Sequence, residues 1–81
     1  MSIDIKALIE RGLPDAQVIL SGDGCHAAVT VVSAQFEGKS MLAQQRMVYA
    51  TVDAELKSGA IHALSIKSYT PAQWQVQQSN G

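Results

Sequence analysis

The spacing of apolar residues near the start of the chain predicts a short amphipathic helix. Apolar side chains recur there at steps of three and four residues, as they do on one face of a helix. We expect Ser2 to cap this helix, and Gly12, followed by Pro14, to end it.

Two β-prone runs, residues 16–20 and 27–32, come next and predict a hairpin. The segment between them contains two glycines, which allow backbone conformations that are closed to other residues. The tip of the hairpin carries Cys25, which is the only cysteine of the chain, and His26, which is one of its two histidines.

A second helix and a third strand follow the hairpin. Ser40 is placed to cap the helix and Gly59 to close its C-terminal end. Alternation of apolar and polar residues over positions 61–69 predicts a half-buried strand. We expect one face of this long helix to carry Met41, Gln45, Val48, Tyr49, Val52 and Leu56.

The chain closes with a third predicted helix. Thr70 is a suitable cap, Pro71 suits the first helical position, and Gln73 follows three residues after the cap. We expect residues 75–81 to fray. With no internal repeat and no linker, residues 1–81 are interpreted as a single domain.

The order of these elements has a geometric consequence for the histidines. If the second and third strands are neighbours, the helix that connects them makes the two strands parallel, so both begin at the same edge of the sheet. His26 and His62 lie near those two strand starts, and adjacent strands are about 4.8 Å apart. Cys25, His26 and His62 are therefore expected to converge.

Length and composition narrow the function classes. The chain has 81 residues, 47% of them hydrophobic and 16% charged, which fits a small domain without a large enclosed pocket. The net charge of −1 argues against a general nucleic-acid binder. The apolar runs fall far short of the roughly 20 residues that span a bilayer. With no signal peptide visible, we expect a cytosolic protein.

Cys25, His26 and His62 are residue types that bind zinc or iron-sulfur centres. Such centres need four ligands as a rule, and one copy of this chain offers at most three. Any such site is therefore expected to be shared with a partner. The alternative is that His26 is a solvated loop residue and His62 a strand residue bonded to the backbone.

Two other chemistries are less well supported. A cysteine nucleophile is disfavoured because Cys25 and His26 are adjacent and would diverge on an extended backbone, and because Asp23 would raise the thiol pKa. We therefore expect no enzyme activity. A nucleic-acid-binding surface is disfavoured because the sequence has no Gly-x-x-Gly loop and no clustered aromatic residues. Its candidate residues are Lys39, Arg46, Lys57 and Lys67.

One segment is especially specific: a His-Ala-Leu strand start that runs into Thr-Pro-x-x-Trp. This segment and several others resemble the BolA family, close to its IbaG-like branch. The resemblance implies a class II KH-like α+β fold, with the order helix-strand-strand-helix-strand-helix and a three-stranded mixed sheet. The segments that carry the resemblance are residues 21–26, 36–40, 45–49 and 61–74.

The resemblance also implies a partner and a cofactor. BolA proteins pair with monothiol glutaredoxins and share a bridging 2Fe-2S cluster, to which the glutaredoxin cysteine and glutathione also contribute. The histidine of the His-Ala-Leu block is His62, and the second ligand is His26 or Cys25, with His26 slightly favoured by position. Ala27 and Gln45 depart from residues common in the family.

The resemblance therefore predicts a non-enzymatic adaptor in iron-sulfur trafficking or iron sensing. The alternative is a nucleic-acid-binding transcriptional regulator that uses the KH-like fold. A purely structural interaction module is a third class, and it predicts glutaredoxin binding that does not depend on His62.

Overall fold

The structure is a computed structural model that describes residues 4–23, 26–61 and 63–79. Within these ranges no helix is long and apolar enough to cross a membrane. The predicted order of helices and strands is confirmed. The elements are α1 (Ile5–Gly12), β1 (Gln17–Asp23), β2 (His26–Val32), a 3₁₀ turn (Ala34–Phe36), α2 (Met41–Thr51), α3 (Asp53–Ser58), β3 (Ala63–Tyr69) and α4 (Pro71–Ser79).

Helix α1 is capped by a different residue from the one expected. The Asp4 carboxylate accepts a hydrogen bond from the Ala7 amide at 3.0 Å, and the helix begins at Ile5. Ser2 lies outside the described residues. A carboxylate at this position also interacts favourably with the positive end of the helix dipole. The helix ends at Gly12 as predicted.

The second predicted helix is broken in two at Val52. This residue has φ −123° and ψ 18°, outside the helical region. The preceding Thr51 hydroxyl donates to the Val48 carbonyl at 2.6 Å, a local bond that competes with the helical ladder. The predicted caps are confirmed: Ser40 accepts from a backbone amide of α2, and Gly59 closes α3 with φ 84°.

The buried stripe of α2 also differs from the predicted one. Gln44, Val48 and Val52 are buried, at steps of four residues, whereas Met41 and Tyr49 are 59% and 39% exposed. Helix α2 is therefore rotated relative to the predicted orientation. Part of the predicted apolar face lies at the edge of the contact with the sheet and is exposed to solvent.

Helix α4 extends further than expected. The Gln73 amide donates to the Thr70 hydroxyl at 3.2 Å, and the Thr70 amide donates to the Gln73 side-chain oxygen at 2.9 Å. This reciprocal capping confirms the predicted start. The helix ends at Ser79 and so includes most of residues 75–81, whose fraying stays a prediction. The Trp74 ring packs 5.3 Å from the Tyr69 ring and so attaches the helix to β3.

The sheet is mixed, which confirms an α+β fold. The strand order is β1-β2-β3. Strands β1 and β2 are antiparallel and closed by the pair Asp23 and His26. Strands β2 and β3 are parallel, with His26 opposite Ala63 and Val32 opposite Tyr69.

One face of this sheet packs against the helices and forms the core. Alternate residues of the central strand, Val29 and Val31, point inward and are 2% and 0% exposed. The core residues are Ile9, Leu13, Val18, Val29, Val31, Phe36, Val48, Val52, Ile61 and Ile66.

A buried polar pair fixes α2 across β3. Gln44 and Ser68 are 3% and 2% exposed, and the Ser68 hydroxyl donates to Gln44 Oε1 at 2.8 Å. Gln44 Nε2 donates in turn to the carbonyls of Lys39 and Phe36, at 3.0 and 3.4 Å. These bonds satisfy the buried amide and set the position of α2 along the strand.

Asp15 ties the turn after α1 to the 3₁₀ turn. Its carboxylate accepts hydrogen bonds from the Ser33 hydroxyl at 2.9 Å, the Ala34 amide at 3.0 Å and the Gln35 side chain at 2.8 Å. Desolvation raises the pKa of Asp15, but the bonds from Gln35, Ser33 and Ala34 together outweigh it and lower that pKa below 3.8.

We expect Gly12→Ala to destabilise the protein although alanine is the better helix former by about 1 kcal/mol. An added Cβ would lie 2.5 Å from Thr51 Cγ2, where α1 crosses α2. Overpacking of this kind costs about 1–3 kcal/mol. Thr51→Ser removes that methyl and keeps the hydroxyl, so it should reduce the cost of Gly12→Ala in a double-mutant cycle followed by urea denaturation. Additive effects of the two changes would contradict this contact.

We expect Asp15→Asn to lower the free energy of unfolding at neutral pH by about 1 kcal/mol. Because folding lowers the Asp15 pKa, its stabilisation is present above the unfolded-state value of 3.8 and is lost as pH falls through the folded-state value. The difference in free energy of unfolding between wild type and variant should therefore disappear as the pH falls below 3.8. Urea denaturation across this range measures it, with the exposed Glu37→Gln as control. A gap that does not change with pH would refute this role.

Candidate functional site

The starts of β2 and β3 lie side by side. His26 is the first residue of β2, and its register partner across the parallel pair is Ala63, the first residue of β3. Paired parallel strands are separated by about 4.8 Å. Ala63 directly follows His62 in the sequence. The expectation that the second and third strands begin at the same edge is confirmed.

The predicted ligands differ in how far the structure describes them. For His26 the structure describes the backbone position, which is in β2. Cys25 and His62 lie outside the described residues, so their metal-ligand role stays a prediction. Within the described ranges, no group of three His, Cys, Asp or Glu side chains is arranged to hold a metal ion.

Contacts on both sides of position 62 hold the start of β3 in place. Ile61 is 6% exposed within the core, and its amide donates to the Glu55 carbonyl at 3.1 Å. On the other side, Leu64 is half-buried and packs against the core. The chain that enters β3 is therefore anchored by burial and by a backbone hydrogen bond.

Tyr49 is a neighbour of this edge that the sequence did not reveal. Its hydroxyl donates to the Leu64 carbonyl at 3.4 Å. The helix pattern had placed Tyr49 only on an apolar face. Its contact with β3 depends on the position at which α2 crosses the strand. That position cannot be predicted from the spacing of residues within the helix.

The four basic residues of the nucleic-acid alternative come from four different parts of the fold. Lys57 in α3 pairs with Asp53 at 3.1 Å, so part of its charge is compensated. Lys67 lies on β3 beside Met41 and Gln45. Lys39 lies in the loop before α2, and Arg46 is exposed on α2.

Comparison with known proteins identifies the family. The model for the family described as BolA-like protein matches residues 11–73. This chain belongs to the BolA family. The resemblance stated from the sequence motifs is thereby confirmed.

Individual BolA relatives cover most of the chain. The acid stress protein IbaG of Escherichia coli K12 is 38% identical over 71 residues, which are 88% of this chain and 84% of IbaG. A bolA protein homologue from Coxiella burnetii superposes with a TM-score of 0.80 and 42% identity, over 89% of this chain and 92% of the homologue.

A third relative is a domain of a differently named protein. The BolA domain of SufE1 from Arabidopsis thaliana has a TM-score of 0.70 and 36% identity, and the match covers 84% of this chain and 88% of that domain. The matching family description names no catalytic activity, and IbaG is named as a stress protein.

We expect Ile61→Ala to lower the free energy of unfolding by about 2–4 kcal/mol, because Ile61 is a buried anchor at the start of β3. The matched control Leu20→Ala, at a 46% exposed position of β1, should cost much less. Urea denaturation measures both costs. Amide hydrogen exchange at Ser65, whose main chain is on the β2 side of the strand, should accelerate only in the Ile61 variant, and equal acceleration in both would argue against the anchor.

Proposed function

We propose that this BolA protein is a non-enzymatic adaptor that binds a monothiol glutaredoxin and co-ligates a bridging 2Fe-2S cluster. In this role it serves iron-sulfur cluster trafficking or iron sensing. On the side of this chain the ligands are His62 and either His26 or Cys25. The glutaredoxin cysteine and glutathione supply the remaining thiolates.

The parallel register is the observation that carries this proposal. In the backbone register His26 is the partner of Ala63, and His62 is the residue before Ala63 in the sequence. A one-residue rise along a strand is about 3.3 Å. Backbone positions this close suit two ligands of one small cluster. The buried Ile61 restrains the chain directly before position 62.

The chemistry of the donors fits a shared cluster. Imidazole and thiolate bind iron-sulfur centres, and one copy of the chain supplies fewer than the usual four ligands. A partner that brings thiolates completes the set. Replacing a thiolate by the neutral imidazole of His62 changes the net charge and potential of the cluster, which gives a mixed complex a different tendency to hold or release it.

The family relations agree with an adaptor role at a coarser level. The chain is a BolA protein, and a BolA domain of the same fold occurs as part of SufE1. A domain that occurs beside other protein domains is consistent with a function in binding partner proteins.

The proposal predicts that His62→Ala abolishes the mixed cluster. Anaerobic reconstitution with a monothiol glutaredoxin, glutathione, iron and sulfide should give a one-to-one complex with a cluster spectrum distinct from that of glutaredoxin alone. Visible absorption and circular dichroism follow this spectrum. Variants Cys25→Ser and His26→Ala then identify the second ligand, since only the true ligand should change the spectrum.

Ser65→Ala is the matched control, because Ser65 is an exposed residue of the same strand. This variant should keep the wild-type spectrum. A spectrum that is indifferent to His62 would refute shared ligation. Glutaredoxin binding without dependence on His62 would support a structural interaction module, and steeply salt-dependent binding to duplex DNA would support the regulator.

A further inference from the structure

The carbonyl of Leu64 lies on the side of β3 that faces away from the sheet. Among the described residues β3 is an edge strand, in the order β1-β2-β3. The Ser33 amide donates to the Tyr69 carbonyl at 3.1 Å, so the main chain of Tyr69 faces β2. Alternate residues of a strand direct their polar groups to opposite sides, and the Leu64 carbonyl therefore points away from β2. The sheet offers this carbonyl no partner.

Tyr49 supplies the hydrogen bond that the sheet does not. Its hydroxyl donates to the Leu64 carbonyl at 3.4 Å. The main chain of Tyr49 lies at the junction of α2 and α3, where its carbonyl accepts from the Val52 amide at 3.1 Å. Tyr49 therefore connects the crossover between β2 and β3 to the first residues of β3.

Two hydrogen bonds from this crossover bracket position 62. Before it, the Ile61 amide donates to the Glu55 carbonyl of α3 at 3.1 Å. After it, the Leu64 carbonyl accepts from Tyr49 of α2. The chain on either side of the proposed ligand His62 is thus held by one helix each, and β2 pairs with it from Ala63 onward.

The two bonds differ in what they contribute to the fold. Ile61 is 6% exposed and belongs to the core, so its burial stabilises the whole domain. Tyr49 is 39% exposed. Because water can replace the donor of an exposed hydrogen bond, removal of the Tyr49 hydroxyl is expected to cost little global stability. Its effect is then local, on the position of the chain that enters β3.

We propose that Tyr49 is a positioning residue for the cluster ligand at position 62, acting through the Leu64 carbonyl. This inference rests on the proposed function. Ligand groups of a metal site need to be held within about 0.5 Å of the productive arrangement. The ladder to β2 restrains one side of the strand start, and the Tyr49 hydroxyl restrains the other. Without that hydroxyl, the start of β3 can turn about its ladder to β2.

The test compares Tyr49→Phe with Tyr69→Phe, which changes the only other tyrosine of the chain. Both substitutions keep the ring and remove a hydroxyl. Tyr69 lies at the far end of β3 and packs against Trp74, and among the described residues its hydroxyl has no hydrogen-bond partner. Each full chain is reconstituted anaerobically with a monothiol glutaredoxin, glutathione, iron and sulfide.

We expect Tyr49→Phe to form the mixed complex with an altered circular dichroism spectrum of the cluster. Loss of the cluster to a ferrous chelator should be about tenfold faster than in wild type, the lower end of the range for groups that orient metal ligands. Tyr69→Phe should keep the wild-type spectrum and rate. The urea midpoint of the isolated Tyr49→Phe chain should stay close to that of wild type.

Amide hydrogen exchange tests the same restraint without glutaredoxin or cluster. The amides of Ser65 and Lys67 both lie on the β2 side of the strand. In the isolated chain, Tyr49→Phe should accelerate exchange at Ser65, near the lost bond, and leave Lys67 unchanged. Tyr69→Phe should not accelerate exchange at Ser65.

The outcomes separate this inference from the proposed function. A wild-type chain that forms no mixed cluster would overturn the proposed function and the positioning role with it. A wild-type mixed cluster whose spectrum and rate of loss are unchanged in Tyr49→Phe would overturn the positioning role alone. A lower urea midpoint with an unchanged cluster spectrum, or equal effects of the two variants, would reduce Tyr49 to a structural contact.

Discussion

The parallel pairing of β2 and β3 is the constraint on which the rest of this BolA structure depends. It requires a crossover, which α2 and α3 provide, and it brings the starts of both strands to one edge. The register sets His26 opposite Ala63. A shift of one residue would turn Ile66 from the core to the opposite face, so the hydrophobic pattern itself holds the register.

The packing of α2 across β3 is the second determinant, and it rests on a polar pair inside an apolar core. Val48 and Val52 supply hydrophobic burial, which has no direction of its own. The bond between Gln44 and Ser68 has a direction and a length, and so fixes where α2 lies along the strand. The same position brings the Tyr49 hydroxyl to the Leu64 carbonyl.

The two ends of β3 thus offer different chemistry. Its start lies beside His26, at the edge where soft metal ligands are proposed to meet. Its far end borders a hollow of about 290 Å³ that Met41 and Gln45 of α2 and Lys67 of β3 help to line. In a small domain with little interior to spare, recognition is expected at edges of this kind rather than in an enclosed pocket.

The sequence by itself determined the features that depend on residues close together in the chain. These include the caps at Ser40 and Thr70, the turn at Gly59, the order of helices and strands along the chain and the family motif around position 62. The cluster ligands remain a prediction from that motif. Only the tertiary structure decided the contact of Asp15 with a turn 18 to 20 residues away and the exposure of Met41. The break at Val52 and the helical tail of α4 also escaped the sequence pattern. Caps and periodicities are local bonds and spacings, whereas the depth of burial of a helix face depends on the elements that pack against it.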